Sequence, residues 1–380
     1  MSIRQMFPGS IVKPGFNPLA AQTPTILYNL FSWGLGGFGD LGLGNTASYS
    51  SPKQVGNLTD WLVLSAGSYT TAAVKSDGTL WTWGKNTYGQ LGLGNTTNYS
   101  SPKQVGALTN WSTVSIGGLN TYPFLVAVKT DGTLWACGRN NLGQLGLGNT
   151  TSYSSPKQVG ALTAWLKVAC GHYYTMAVKT DGTMWAWGQN NSGQLGLGNL
   201  TNYSSPKQVG ALTNWLNVSA GAYVTQSVKT DGTLWTWGNS SFGALGLGNT
   251  TGYSSPKQVG ALTNWRITSP NSNYSTYALK TNNELWTWGY NGSGQLGTSN
   301  TTNYSSPKQI GGMSTCLNIS AGYNSVYVVK TDGTLWSWGL NDQGQLGNGN
   351  TTNSTFPIQI GVSTTWVNPA GGNRTAFARG

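Results

Sequence analysis

Few side chains in this chain could perform acid, base or metal chemistry. Its 380 residues contain a single histidine, His172, and a single glutamate, Glu284, and most of the aspartates stand in short turns. A general acid–base pair, a metal centre and an activated nucleophile each need several such groups close together. We therefore expect no enzyme activity, no catalytic residue, no metal site and no cofactor.

The three cysteines replace residues that the rest of the sequence assigns to the interior. They are Cys137, Cys170 and Cys316. Their odd number and their spacing fit neither a zinc site nor a disulfide framework. Because free cysteine behaves as a small apolar side chain, we expect buried free thiols.

Tyrosine, asparagine and phenylalanine side chains offer recognition chemistry instead. They occupy turns that change from one copy to the next in a sequence that otherwise repeats itself closely. Loops of this composition are suited to binding a protein or a glycan, whereas exposed loops also vary without any function. The candidate partner-binding residues are Tyr69, Tyr88, Asn120, Tyr122, Phe124, Arg139, His172, Tyr173, Tyr174, Tyr223, Phe242, Tyr274, Tyr290, Tyr323, Asn324 and Arg374.

The net charge of +11 comes mainly from one lysine per repeat. These lysines predict an incomplete ring, because Ile358 takes the seventh place: Lys53, Lys103, Lys157, Lys207, Lys257 and Lys308. The ring could hold an anionic partner such as nucleic acid. We favour solvated lysines that keep an edge strand from pairing with another sheet, because no arginine cluster or basic tail accompanies them. The lysines of the Lys-Thr-Asp-Gly turns are expected to be balanced by the neighbouring aspartate.

A repeat of about 50 residues positions all of these groups. Trp-Gly steps begin at Trp33, Trp83, Trp187, Trp237, Trp288 and Trp338, and Cys137 takes the remaining place. Each unit contains four short runs of alternating or β-branched residues, separated by turns such as Asp-Gly, which is typical of antiparallel strands. The sequence predicts an all-β fold, a seven-bladed β-propeller of four-stranded blades, with the tryptophans packed between the blades.

The two ends of the chain supply complementary halves of one blade. The C-terminal segment provides a first and a second strand, and the N-terminal segment provides a third and a fourth. Pairing them closes the ring and removes exposed sheet edges. We assign residues 25–380 to the propeller and residues 1–24 to an extended arm, which we expect to anchor the chain through Met6, Phe7 and Phe16.

Four antiparallel strands place the connections between strands 1 and 2 and between strands 3 and 4 at one end of the propeller. The candidate partner-binding residues lie in these connections, which predicts one variable face. A tyrosine also recurs in the long loop between strands 3 and 4, at Tyr49, Tyr99, Tyr153, Tyr203, Tyr253 and Tyr304. Stacking on sugars is one interpretation of this tyrosine, and packing beneath its own loop is the favoured one.

The recurring pattern of the units resembles a known repeat family. The pattern WGxNxxGQLGxG, clearest at Trp187–Gly196, is similar to the regulator-of-chromosome-condensation repeat, and the resemblance covers residues 25–380. It implies a seven-bladed propeller closed by strands from both termini. Members of the family include an exchange factor for a nuclear GTPase, a plant light sensor and secreted β-lactamase inhibitors, so the fold does not imply one function. This chain lacks the family's usual His-Thr pair, a long inserted loop and a basic tail, which argues against exchange activity.

The arm and the near-identical blades favour a non-enzymatic component of a larger assembly. Our leading hypothesis is a microbial or phage-type member that forms part of a bacteriophage virion (tail, fibre or capsid-associated), with the variable face turned towards host or neighbour. A soluble protein-binding or inhibitor module is the alternative, located in the cytoplasm because no signal peptide is recognisable, and an exchange factor ranks third. No apolar run approaches the ~20 residues that cross a bilayer.

Overall fold

Seven four-stranded antiparallel sheets form the molecule, as the sequence predicts. The computed structural model describes residues 28–118, 123–271 and 273–380. The strands before and within the first three complete blades are β1 Leu30–Gly34 and β2 Tyr49–Gln54; β3 Trp61–Ala66, β4 Thr70–Lys75, β5 Leu80–Gly84 and β6 Tyr99–Gln104 in blade 1; β7 Trp111–Gly117, β8 Phe124–Lys129, β9 Leu134–Gly138 and β10 Tyr153–Gln158 in blade 2; β11 Trp165–Cys170, β12 Tyr174–Lys179, β13 Met184–Gly188 and β14 Tyr203–Gln208 in blade 3.

The remaining strands repeat the same order. They are β15 Ser219–Ala220, β16 Val224–Val228, β17 Leu234–Gly238 and β18 Tyr253–Gln258 in blade 4; β19 Trp265–Thr268, β20 Ser275–Lys280, β21 Leu285–Gly289 and β22 Tyr304–Gln309 in blade 5; β23 Cys316–Ala321, β24 Ser325–Lys330, β25 Leu335–Gly339 and β26 Ser354–Gln359 in blade 6; β27 Val367–Gly371 and β28 Thr375–Arg379 in blade 7. Within the described ranges the one helical segment is a 3₁₀ turn, Ser241–Gly243.

Blade 7 closes the ring with strands from both ends of the chain. Its strand order is β27–β28–β1–β2, and Leu30 pairs with Arg379 while Gly34 pairs with Thr375. Asn29 and Gly380 exchange two backbone hydrogen bonds of 3.2 and 3.1 Å just beyond this register. The closure that the sequence predicts is therefore confirmed, since the terminal strands β28 and β1 each pair on both sides.

Tryptophan side chains join each blade to the one before it. In blade 4, Trp237 is fully buried and its Nε1–H donates to the backbone carbonyl of Gln194 in blade 3 at 2.9 Å. Five further tryptophans make the same bond, at 2.8–3.0 Å: Trp33, Trp83, Trp187, Trp288 and Trp338. In blade 2 the thiol of Cys137 takes this place, 3.7 Å from the carbonyl of Gln90. A buried indole contributes apolar contact area, and its N–H forms a hydrogen bond that fixes the orientation of one blade against the next. This explains why the repeat keeps the tryptophan.

The innermost strands end in small residues because the blades converge there. A Cβ on Gly221 would lie 2.5 Å from the carbonyl oxygen of Asn271 in the next blade, so only glycine fits. At the boundary between blades 2 and 3, the N–H of Gly118 donates to the carbonyl of Gly171 at 3.0 Å. Around the axis remains a narrow cavity of ≈140 Å³, lined mainly by glycine and alanine.

The cysteine prediction is confirmed, and each hairpin lysine interacts electrostatically with the aspartate of its turn, as predicted. All three cysteines are free and buried, and burial raises the pKa of each thiol to about 12. In the hairpin turns, Lys75 lies 4.0 Å from Asp77, but the ammonium groups of Lys129 and Lys229 lie 3.9 Å from the ring centroids of Trp135 and Trp235. The indole faces stabilise these lysines because they attract a cation in a partly desolvated setting.

Candidate binding face

The variable face is the end of the propeller that carries the connections between strands 1 and 2 and the first residues of the loops between strands 3 and 4. The opposite end, which we call the uniform face, carries the nearly identical hairpin turns and the connections between blades. Described examples on the variable face are residues 67–69, 171–173, 221–223 and 273–274 from the first set, and 85–88, 239–242 and 290–293 from the second. Strands of alternating direction place these two sets of loops together.

Six rings form a continuous row across blades 3, 4 and 5 of the variable face. We call this row the aromatic arc; its members are His172, Tyr173, Tyr223, Tyr274, Phe242 and Tyr290. Centroid separations run from 4.8 Å for Phe242–Tyr290 to 6.5 Å for Tyr173–Tyr223. Tyr223 and Tyr274 are nearly parallel, with 24° between their planes. Neighbouring blades contribute successive rings, so the arc exists only in the closed propeller.

The arc is partly exposed and carries no charge of its own. Phe242 is 45% exposed, and the tyrosines are half-buried. Burial raises the pKa of Tyr223 and of Tyr274, and it lowers the pKa of His172 to about 3, so the imidazole is neutral. The arrangement offers flat apolar surface with phenol hydroxyls at its edges.

Backbone strain accompanies the exposed rings. Phe242 and Tyr274 have φ of 60°, and Tyr69 has φ of 61°. Bulky residues rarely adopt this left-handed conformation, and each instance costs about 1–3 kcal/mol. Such outliers are enriched at functional sites, where a side chain must point in a direction that relaxed backbone does not allow.

The rest of the variable face is charged, and basic side chains lie against its aromatic rings. The ammonium of Lys85 lies 4.8 Å from the ring centroid of Phe38 and 5.7 Å from that of Tyr69. The guanidinium of Arg139 lies 4.5 Å from the ring centroid of Tyr88. Between blades 6 and 7, Arg374 and Asp342 form an ion pair at 3.1 Å.

Two of the predicted contact residues lie in the interior instead. Phe124 and Tyr174 are the first residues of β8 and β12, and both are fully buried. The Tyr174 hydroxyl donates to the carbonyl of Val224 at 2.9 Å, so it joins blade 3 to blade 4. The prediction that they meet a partner is wrong, because a one-residue offset after the turn directs the side chain inward.

The other predicted contact residues are distributed unevenly. Asn324 is 7% exposed, and its Oδ1 accepts a 2.9 Å bond from Asn273, so it supports the loop beneath the surface. Tyr323 is half-buried beside it. Asn120 and Tyr122 lie outside the described residues, as do the arm positions Met6, Phe7 and Phe16.

Blade 4 contains a groove that the sequence analysis missed. In blade 3 the backbone N–H of Asn190 donates to Asn202 Oδ1 at 2.7 Å, and its side chain donates to the carbonyl of Asn199 at 2.9 Å. Blade 4 has Ser240 and Gly252 at the positions of Asn190 and Asn202, so the bond to the Asn202 side chain has no counterpart, while the shorter Ser240 side chain still donates to the carbonyl of Asn249 at 3.3 Å. A groove of ≈480 Å³ opens between the two long loops, lined by Asn191, Ser192, Leu200, Asn239, Ser240, Ser241, Thr250, Gly252, Tyr253 and Ser254. The replacement of two recurring asparagines by Ser240 and Gly252 is the sequence signal that could have indicated this groove.

The lysine ring and the repeated loop tyrosines lie on the outermost strands. All six lysines are exposed, and each ammonium lies 5.3–5.6 Å from the ring centroid of the tyrosine on its own strand. Tyr99 and Tyr203 illustrate the loop tyrosines, since each hydroxyl accepts a 3.2 Å bond from the asparagine four residues earlier. These tyrosines pack beneath their own loops, as favoured from the sequence. Anion binding by the ring stays a prediction.

The uniform face carries exposed leucines. Leu58, Leu108, Leu162, Leu212 and Leu262 occupy equivalent positions between blades and are 39–48% exposed. Tyr28, Asn29 and Gly380 lie at this end, since β1 begins and β28 ends there. Tyr28 and Asn29, which precede β1, therefore lie on the side opposite the aromatic arc.

Sequence models of known families match almost the whole propeller. The regulator of chromosome condensation (RCC1) repeat matches seven times, at residues 29–74, 77–122, 131–178, 181–227, 231–269, 282–329 and 332–378. This chain belongs to the regulator of chromosome condensation repeat family. A second model of the same repeat matches residues 165–194 and 317–345. The microbial or phage-type origin expected from the sequence stays a prediction.

Solved structures of the family share the fold at low sequence identity. Prp20p from Saccharomyces cerevisiae, described for its binding to Gsp1p and histones, is 18% identical with a TM-score of 0.80, covering 94% of this chain and 92% of that one. Human WBSCR16 is 20% identical with a TM-score of 0.81, covering 93% and 98%. Yeast RCC1 (Prp20) bound to Kap60 is 16% identical with a TM-score of 0.80, covering 100% and 96%. At such identities the likeness shows the fold alone.

The described part of the chain contains neither a membrane-spanning helix nor a cluster of metal-binding side chains. No helix there is long and apolar enough to cross a membrane. No three His, Cys, Asp or Glu side chains in those ranges lie close enough together to hold a metal ion.

Proposed function

We propose that the propeller is a non-catalytic binding module that recognises a macromolecule, protein or glycan, through its variable face. The observation that carries this is the aromatic arc, in which five partly exposed rings and the buried ring of His172, contributed by three blades, lie side by side. Tyrosine and phenylalanine on a rigid scaffold supply contact area at a small entropic cost. The left-handed backbone of Phe242 and Tyr274 supports the proposal, because the fold tolerates strain to keep these rings outside.

The two faces suit different roles: attachment to an assembly at the uniform face and recognition at the variable face. The chain enters at Asn29 on the uniform face, which also carries the exposed leucines. Attachment to a larger assembly through that side would leave the arc free. A virion component is one form of this hypothesis; the comparisons do not support it, and it stays a prediction, together with the anchoring role of residues 1–24. Binding of Gsp1p and histones is described for Prp20p, and no geometric feature of this chain favours either partner here.

A matched pair of double variants tests which face binds. Phe242→Asn with Tyr274→Asn removes two rings of the arc, and asparagine tolerates the left-handed backbone at both positions. Leu212→Ser with Leu262→Ser removes two exposed apolar side chains from the same two blades on the uniform face. Tagged full-length chains are cross-linked in an extract of cells that produce the protein, and the adducts are analysed for protein and for monosaccharide content.

We expect the leucine pair to retain the adducts of the wild type and the arc pair to lose them. Both variants should keep the wild-type circular dichroism spectrum, because three of the four replaced side chains are exposed and Tyr274 packs only partly against the buried cluster of Val224, Ala244 and Leu245. Retention of every adduct by the arc pair would show that the variable face is not the binding surface.

A further inference from the structure

The variable face is divided by charge as well as by aromatic content. Its loops over blades 3 to 5 (residues 189–206, 239–256 and 290–307, with turns 171–174, 221–224 and 269–274) contain no Asp, Glu, Lys or Arg. The only ionisable base there is His172, which burial keeps neutral. Over the other blades lie Lys85, Arg139, Arg374 and Asp342, so a large uncharged surface faces solvent beside a charged one.

An uncharged surface selects an uncharged partner. A highly charged partner is held and aligned by complementary charges, and this surface offers none. What it offers is amide and hydroxyl groups, which both donate and accept hydrogen bonds, beside flat aromatic faces. A neutral sugar matches this set, since its hydroxyls pair with amides and its C–H faces lie on aromatic rings.

Blade 4 adds a groove that can hold one sugar ring. The ≈480 Å³ groove is lined by asparagine, serine and threonine, and its size falls within the range of about 300–1,000 Å³ that is usual for small-ligand sites. It exists because Ser240 and Gly252 are smaller than the asparagines of blade 3. The same loop turns Phe242 into the left-handed conformation and places its ring in the arc, two residues after Ser240.

From these features we propose that the variable face over blades 3 to 5 binds a neutral oligosaccharide. One sugar unit lies in the groove of blade 4, and its neighbours lie on the aromatic arc. This inference rests on the proposed function and names the chemical class of its partner; a protein is the alternative outcome of the test.

The loop of blade 4 can be closed without damaging the fold. Ser240→Asn with Gly252→Asn restores the residues that blades 1, 3, 5 and 6 carry at these positions. The φ of Gly252 is not in the left-handed region, and a Cβ there meets its nearest neighbour, the carbonyl of Gly238, at 3.0 Å, which needs a small adjustment. The double variant should regain the loop hydrogen bonds seen at Asn190 and should melt no lower than the wild type.

The test measures binding of cellohexaose, maltohexaose and chitohexaose to the full chain by calorimetry. We expect the wild type to bind at least one of them, with an affinity that changes less than about twofold between low and high salt, because no ion pair contributes. Ser240→Asn/Gly252→Asn and Phe242→Asn should each weaken that binding at least about tenfold. Leu212→Ser/Leu262→Ser is the control and should bind as the wild type does.

Two results would overturn the inference. One is the absence of binding to all three oligosaccharides; the other is unchanged binding by the closed-loop variant. Failure of the proposed function is distinguished by the cross-linking experiment. Protein adducts that depend on the arc, without sugar binding, would refute the glycan and keep the binding face. Adducts that form equally well without the arc would refute both the glycan inference and the proposed binding face.

Discussion

Asp40 offers a quantitative test of how the repeat holds itself together. It stands where blades 1, 2, 3, 5 and 6 have glutamine, and it is 1% exposed. Gln90 shows what the position does: its Oε1 accepts from the N–H of Tyr88 at 3.0 Å and its Nε2 donates to the carbonyl of Lys85 at 2.6 Å. Asp40 Oδ1 still accepts a hydrogen bond from the N–H of Phe38. Its Oδ2 has no hydrogen-bond partner in the described structure.

Burial without that second partner raises the pKa of Asp40 from 3.8 to about 6. The folded state therefore binds this proton more tightly than the unfolded state does. The stabilising effect of protonation is fully present below about pH 4 and is lost as pH rises through about 6. A shift of about 2 units corresponds to about 3 kcal/mol of unfolding free energy at pH 7, as an order of magnitude.

Asp40→Gln should remove this loss and supply the missing donor. We expect the variant to exceed the wild type by about 4 kcal/mol at pH 7, about 3 from the removed carboxylate and about 1 from the added hydrogen bond, equivalent to a melting temperature about 5 °C higher for a chain of this size. Near pH 4 the difference should shrink to the value of the added hydrogen bond, about 1 kcal/mol. Urea denaturation and thermal melting of both proteins at pH 4, 5, 6 and 7 measure this, and all other carboxyl groups cancel in the difference.

The reciprocal variant provides the control. Gln90→Glu places a carboxyl group in the equivalent buried position of blade 1, which should lower stability at pH 7 and restore most of it near pH 4. A stability difference between Asp40→Gln and wild type that is the same at pH 4 and pH 7 would refute the reasoning, since it would show that Asp40 stays ionised at no cost.

Three further predictions concern contacts between and within blades. Trp237→Phe removes the N–H that reaches the carbonyl of Gln194 and should cost about 2–3 kcal/mol in urea denaturation, with circular dichroism showing an intact fold. Lys229→Met keeps the apolar stem but removes the cation between two indoles, and it should lower the unfolding free energy by about 1 kcal/mol; an unchanged value would show that the ring contact contributes nothing. Cys137→Trp should cost about 1–3 kcal/mol because Leu125 lies opposite it where blades 1, 3, 4 and 5 have threonine, and Leu125→Thr should recover most of that loss; additive effects in the double-mutant cycle would contradict this.

The fold could be predicted from sequence because the information is local and repeated. Alternating strands, Asp-Gly turns and a tryptophan at a fixed place in six of the seven units specify the blade, and the incomplete units at the two ends specify the closure. Even the glycine that ends the inner strand has a local signature, although its cause, the approach of Asn271 to Gly221, lies in the neighbouring blade.

The binding face could be predicted only in part. The variation among turns indicates one end of the propeller, where the structure brings these turns together, but burial at Phe124 and Tyr174 depends on a one-residue register after a turn, which composition does not show. The aromatic arc joins residues about 50 positions apart in sequence, so its continuity follows only from the packing of blades. The left-handed conformation of Phe242 has no sequence signature, because phenylalanine rarely adopts it.

The central claim is that recognition takes place at the arc on the variable face. The most direct measurement replaces Phe242, and in a separate protein Leu212, by a photoreactive phenylalanine analogue, followed by illumination in an extract of producing cells. We predict adducts at position 242 that contain a neutral glycan and no comparable adducts at position 212, on the uniform face. Adducts at position 212 with none at position 242 would contradict the account.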